Sequence, residues 1–346
     1  MLNWGFWQKT VKLFEKSSNI TYKFYKAGPS VFKISFHGLE NIENFTKAIN
    51  HLEIKDADGL FDFNILVSDL ANGEIMLPEP SWSWEEDVDE KGFIASEDET
   101  HLKGRFLGWQ NTFYLLNLKL KTGIYWTKNN TEIPEWERSF PFRDIFHQFW
   151  SFNSDLLILH AAAVGTKEGG LLLTGKGGSG KSTAALACLN SNLKYAGDDL
   201  VLVDVAKAKI YSLYNVAKLE NHQLLMFPNL RKHIYNEQAL PNEKAQLFLF
   251  DHFKELIIKE MPLKGIAVTK FSHAAYTSYE LSTEAEGLKA LAPSTICLLQ
   301  ESQKHIGAIV EVCRKVPVYK LLTGTELQTI PNLIEELLQK LNPNTL

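Results

Sequence analysis

Residues 175–182 read Gly-Lys-Gly-Gly-Ser-Gly-Lys-Ser, a full match to G-x-x-x-x-G-K-[ST]. Each position has a reason in phosphate chemistry. Glycines let the backbone curl until successive N–H groups point at phosphate oxygens. A helix opening at Lys181 adds the positive end of its dipole. The Lys181 ammonium reaches β- and γ-phosphates, and the Ser182 hydroxyl ligates the Mg2+ that bridges them. The spacing therefore predicts a cradle for ATP and Mg2+ made of Gly175, Lys176, Gly177, Gly178, Ser179, Gly180, Lys181, Ser182 and Thr183. The same letters satisfy Gly175-x-Gly177-x-x-Gly180, the dinucleotide fingerprint, with Asp198 and Asp199 about 20 residues on, where a ribose-binding acid would lie. Three features count against that reading. Lys181-Ser182 has no task in a dinucleotide site, the preceding strand closes a hairpin instead of opening a βαβ unit, and the aspartates come as a pair directly before another strand.

Paired carboxylates beside a triphosphate can divide two roles. Asp198 is placed to hold the metal or its waters, and Asp199 to take a proton from the attacking group. Gly197-Asp198-Asp199 is also ordinary turn chemistry between strands, and only its place after the phosphate-loop helix favours the functional role. His160 sits inside the apolar run Leu156 to Val164, where a lone histidine is usually a core residue. Its strand, however, is expected to lie beside the one that ends in the phosphate loop.

The elements that must position these residues follow from pattern. Leu156 to Val164 and Leu171 to Thr174 are apolar strands across the turn Gly165 to Gly170. So short a link forces an antiparallel hairpin, because a parallel crossover needs a dozen or more residues. A helix is predicted from Lys181 to about Asn190, with strands at Leu193 to Ala196, Leu200 to Val205 and Ile210 to Tyr214. Pro331 suits the first turn of a last helix whose apolar face is Leu333, Ile334, Leu337, Leu338 and Leu341. Residues 142–152 suit an amphipathic helix through Phe142, Ile145, Phe146 and Phe149.

The 346 residues suggest two domains, and all eight tryptophans lie at or before Trp150. We expect a β-rich aromatic domain over 1–140 and the chemistry-bearing domain over 141–346. Phe32, Ile34 and Phe36 alternate with Lys33, Ser35 and His37 as in a half-buried strand. Asp62 to Val67, Arg105 to Trp109, Phe113 to Leu120 and Ile124 to Thr127 also read as strands, with a helix near 41–51. The segment 78–100 reads as an acidic, solvated loop. A sharper reading makes it a dock for a basic peptide, with Trp82 and Trp84 as anchors, so that the first domain chooses the acceptor. Near the N-terminus, Trp4, Trp7, Val11 and Phe14 line one helix face. Such a stripe packs on its own domain or lies on a membrane surface.

The net charge of −5 argues against nucleic acid as a partner. Met1 to Lys16 lacks the apolar core of a signal peptide, and no apolar run approaches the ~20 residues of a transmembrane helix. Cys188, Cys297 and Cys313 form no Cys-x-x-Cys pair, which points to a reducing, cytoplasmic setting without disulfides or structural zinc.

The run His160-Ala-Ala-Ala-Val, the hairpin, Gly175 to Thr183 and Ala196-Gly-Asp-Asp-Leu200 resemble the catalytic domain of HPr kinase/phosphorylase and, more closely, the wider HPr-kinase-like group. The resemblance spans roughly 141–340, with 156–205 its specific part. It implies an α/β fold with a mixed sheet around a P-loop core, shared with ATP-dependent phosphoenolpyruvate carboxykinase. It implies that Lys181 and its loop bind triphosphate, Ser182 ligates Mg2+, Asp199 deprotonates an acceptor serine, His160 is an active-site histidine and Asp198 supports the metal. The family's Glu-x-Arg-Gly segment is absent. Tyr214 to Glu220 is the nearest text, with Glu220 or Asn215 standing for its metal-ligating acid and Lys218 for its arginine. Its arginine-rich loop is absent too, leaving Lys244 or Lys264 to supply the charge. These departures bear on HPr as the acceptor and on the reverse, phosphorolytic reaction, and leave the acceptor open among HPr, a ribosomal peptide and a small molecule. Relatives that phosphorylate a serine of a ribosomal peptide show that the site serves others.

The resulting expectation is an ATP- and Mg2+-dependent kinase acting on a serine hydroxyl of a peptide or small protein, with oligomers as in the family. A nucleotide-binding scaffold without phosphotransfer, a small-molecule kinase of the same fold and a dinucleotide oxidoreductase are the alternatives.

Overall fold

The computed structural model describes residues 1–71, 75–240, 242–299 and 303–342. The chain divides into two compact units, Met1–Asn153 and Ser154–Leu346, and both combine helices with mixed parallel and antiparallel pairing.

The first unit runs α1 (Trp4–Glu15), β1 (Ile20–Ala27), β2 (Ser30–His37), α2 (Glu43–Thr46), β3 (Glu53–Ile54), β4 (Phe63–Asp69), β5 (Phe93–Ile94), β6 (Leu102–Leu107), β7 (Thr112–Asn117), β8 (Thr122–Thr127), α3 (Glu135–Arg138) and α4 (Arg143–Asn153). Its described strands form one eight-stranded sheet in the order β3-β1-β2-β4-β8-β7-β6-β5. The alternation along β2 buries Phe32, Ile34 and Phe36. Phe32 stacks on Phe63 of β4 at 5.3 Å, and Phe63 on Phe149 of α4 at 4.6 Å. Trp150 of α4 donates through Nε1 to Ser30 Oγ at 3.0 Å. These contacts move the division between units from the expected 140/141 to 153/154. The apolar stripe of α4 is covered by the aromatic sheet before it.

Packing within this unit answers two readings left open by the sequence. The stripe of α1 is used internally: Phe6, Trp7 and Phe14 are buried in one cluster with Phe113 and Ile124. Trp82 is no exposed anchor, since it is 7% exposed between Phe6 and Phe113, at 4.8 and 5.6 Å. Several acids of 78–100 are engaged within this unit. Asp87 pairs with the N-terminal ammonium at 2.7 Å, Asp89 accepts from the Phe93 N–H at 2.8 Å, and Glu97 accepts from the Trp4 N–H at 2.6 Å.

The second unit runs β9 (Leu156–Leu159), β10 (Ala162–Thr166), β11 (Gly169–Thr174), α5 (Lys181–Ala187), β12 (Lys194–Gly197), β13 (Val201–Asp204), β14 (Lys209–Tyr211), β15 (Val216–Leu219), β16 (Ala245–Phe248), α6 (Leu249–His252), β17 (Glu260–Phe271), β18 (Ser278–Leu281), α7 (Glu284–Leu299), α8 (Gln303–Lys315), β19 (Val318–Thr323) and α9 (Thr329–Leu341). Strand β17 organises it. Its first residues pair antiparallel with β14, and its later ones run parallel to β11 and β19. The path β12-β10-β11-β17-β14-β13-β9 is extended by β19 and β18. The predicted hairpin is present as β10 and β11. One core cluster joins β11 and α5 to α9 through Leu173, Ala185, Ile334 and Leu337. Another joins β13 and β17 to α7 and α8 through Val203, Ile266, Leu291 and Ile309. The three cysteines are free, and no described helix is long and apolar enough to cross a membrane.

The predicted strand 156–164 is in fact two strands with different partners. β9 pairs with β13, whereas β10 pairs with β11 and β12. His160 and Ala161 carry the chain between them. Opposite, Asp198 to Leu200 carry it from β12 to β13. The pairs Ala163–Gly197 and Leu159–Val201 keep one register across both breaks. The two connections therefore face each other.

Candidate functional site

The loop between β11 and α5 has the conformation its glycines permit. Gly175 has φ 149°, and a Cβ there would stand 2.5 Å from Ser179 Oγ. Gly180 caps α5 at φ 97°, in the left-handed region that favours glycine. Thr269 of β17 pins the loop: its hydroxyl lies 2.9 Å from Ser179 Oγ and donates to Thr174 O at 3.1 Å. Lys181 folds back and donates through Nζ to Gly175 O at 2.8 Å. It is buried, and that burial lowers its pKa against the pull of Asp198 and Asp199. The predicted helix continues past Ala187 only as a 3-10 turn, Cys188–Asn190.

Asp198 and Asp199 share a turn but not an environment. Asp198 is 1% exposed. Its Oδ1 accepts the Asp199 N–H at 2.9 Å, its carboxylate takes the Ser182 hydroxyl, and its Oδ2 meets no hydrogen-bond partner among the described residues. Burial, then the Asp199 charge, raises its pKa to about 6. Asp199 has φ 61°, an uncommon conformation for a side chain other than glycine. Burial works against its ionisation, but the His160 hydrogen bond and the charges of Lys218 and Lys244 outweigh it and hold the pKa below 3.8. His160 Nε2 lies 3.5 Å from Asp199 Oδ1. Its backbone N–H is held by Thr295 Oγ1 of α7 at 3.0 Å, while Nδ1 is buried and meets no hydrogen-bond partner among the described residues.

The geometry thus joins His160, Lys181, Ser182, Asp198 and Asp199. Glu220 lies apart from the carboxylate pair in what it touches. It caps the 3-10 turn Asn221–Met226 and pairs with Lys244 Nζ at 2.9 Å. Among the described residues no three His, Cys, Asp or Glu gather as a metal cluster. Lys218 and Lys244, on the β15–β16 ribbon, send their charge to Asp199. Lys264 instead packs over Gly169, at the end of β11 away from the loop. Thr183 Oγ1 accepts from Gln223 Nε2 at 2.9 Å, tying the ribbon's exit to α5. Sequence reasoning missed Thr269, Thr295 and Gln223, which are remote in the chain and carry no motif. Only the pairing of β17 with β11 and the packing of α7 bring the two threonines in.

A buried carboxylate with an unmet oxygen must either keep a proton or meet a cation. Asp198 and the Ser182 hydroxyl are the hard oxygen donors that Mg2+ takes. Asp199, ionised and partly exposed, can accept a proton.

No protein-family model matches the chain, and no curated protein matches it. Among solved structures, the chain is similar to the Hpr(Ser) kinase/phosphatase from Coxiella burnetii at 15% identity and a TM-score of 0.25, over 53% of this chain and 94% of that one.

Proposed function

We propose that the chain is an ATP- and Mg2+-dependent kinase that phosphorylates a serine hydroxyl of a peptide or small protein. The observation that carries this is the pairing of the glycine loop and Lys181 with an ionised Asp199 beside a buried, half-satisfied Asp198. In the reaction, Asp199 takes the proton of the acceptor hydroxyl. That oxygen bonds to the γ-phosphorus as the bond from phosphorus to the β–γ bridging oxygen breaks, leaving phosphoserine and ADP. Lys181 and the loop N–H groups neutralise phosphate charge. Ser182 and Asp198 would hold the Mg2+, which supplies further neutralisation when bound. His160 keeps Asp199 ionised and oriented.

The test is incubation of the full chain with γ-labelled ATP, Mg2+ and a library of serine-containing peptides. Label on peptide serine supports the reading. Label on metabolites alone would favour a small-molecule kinase. ATP binding with no transfer to any acceptor would favour a nucleotide-gated binding protein.

A further inference from the structure

A cavity of about 1190 Å3 lies against the glycine loop. Residues Gly175 to Ser179 form one wall, the end of β17 with Lys320 and Leu322 of β19 another, and α7 a third. It touches the chemistry at both ends. Gly175 is the residue whose carbonyl takes the Lys181 ammonium. Ser294, at the far wall, is followed by Thr295, which holds the His160 backbone. The space exceeds the roughly 300–1,000 Å3 of a small-molecule pocket, so it has room for a run of residues.

Its charge is specific. Lys289 pairs with Glu286 at 3.0 Å and Lys320 with Glu280 at 3.2 Å, so those charges cancel. Lys176 and Lys270 also line the cavity and have no carboxylate partner among the described residues. Both are exposed. Val268 and the half-exposed Phe271 add an apolar strip beside Lys270. Two unanswered cations beside an apolar strip fit an extended peptide that carries carboxylates.

We propose that this cavity binds an acidic peptide segment, the one that presents the acceptor serine. The proposal rests on the kinase reading above and deepens it by naming the substrate class. It reverses the charge expected from the acidic 78–100 segment, where Asp89 accepts from the Phe93 N–H and Glu97 from the Trp4 N–H.

The test measures binding of two fluorescent peptides to the full chain, one alternating glutamate and serine, the other lysine and serine. Triphosphate affinity is measured in parallel. The glutamate peptide should bind and the lysine peptide should not. Lys270→Glu should weaken the glutamate peptide about tenfold or more, because it replaces an attraction with a like-charge repulsion at that position, and leave triphosphate affinity unchanged. Lys270→Gln should give an intermediate loss. Lys167→Glu, in the exposed hairpin turn, makes the same change in net charge and should leave peptide affinity unchanged. Equal losses from Lys270→Glu and Lys167→Glu would overturn the proposal, as would tighter binding of the lysine peptide. So would a fall in triphosphate affinity matching the fall in peptide affinity, which would give the cavity to the nucleotide. Absence of any triphosphate binding by the unaltered chain would instead overturn the kinase reading.

Discussion

Asp198 and Asp199 are neighbours that burial and partners push in opposite directions. Asp198 binds its proton more tightly folded than unfolded. Between 3.8 and about 6 the folded state therefore holds more protons, and stability falls as pH rises. Asp199, with a lowered pKa, contributes stability above 3.8 that is lost as pH falls below it. In metal-free protein, Asp198→Asn should flatten the decline between about pH 4 and 6 relative to the unaltered chain. At pH 7 it should raise stability by about 1–3 kcal/mol, at ~1.4 kcal/mol per pKa unit. Thermal melts of both proteins across that range check this, and parallel curves would contradict it. In the proposed kinase, the Lys181 side chain makes charge-assisted bonds to phosphate, each worth about 1.5–3 kcal/mol. Lys181→Ala should weaken triphosphate binding tenfold or more by calorimetry, while NAD(P) binding that survives it would favour the dinucleotide alternative. At this scale the sequence was most legible where a feature is contiguous. The glycine loop and the aspartate pair each occupy one short stretch, whereas Thr295 reaches His160 from a separate helix and leaves no local signal.

Among elements, the corner where β9 passes to β10 and β12 to β13 is what places His160 opposite Asp199. Apolar text from Leu156 to Val164 reads as one strand because both halves are buried, and composition does not mark a change of partner. The β10–β11 hairpin was legible, since its short link allows only one geometry. Strand β17 was not, because its parallel partners β11 and β19 are distant in sequence. The loop makes its own prediction. In Gly175→Ala the new methyl meets Ser179 Oγ and the backbone O of Thr269, so stability should fall by about 1–3 kcal/mol. A Cβ at Gly177 meets nothing within 4 Å, and Gly177→Ala should stay within about 0.5 kcal/mol. Denaturant melts compare the two, and equal losses would show that the loop is not held as described.

For the whole molecule, every residue of the candidate site lies in Ser154–Leu346, while the eight tryptophans lie in Met1–Asn153. The compositional break falls near the border between the two units, which lies at 153/154 after α4. A helix assigned by its position after Pro141 is claimed by the aromatic sheet it covers. A non-hydrolysable ATP analogue with Mg2+ at about 100 times its Kd should stabilise the second unit by about 2.7 kcal/mol. It should slow hydrogen exchange across residues 174–187, and unchanged exchange there would place the ligand elsewhere. The central claim is that this chain transfers phosphate with Asp199 as the base. Its most direct test is phosphoserine formation on a peptide library with ATP and Mg2+, comparing the unaltered chain with Asp199→Asn at matched ATP occupancy. The account predicts transfer reduced by about 10²–10⁴-fold in Asp199→Asn with ATP affinity retained. Full turnover by Asp199→Asn would contradict it.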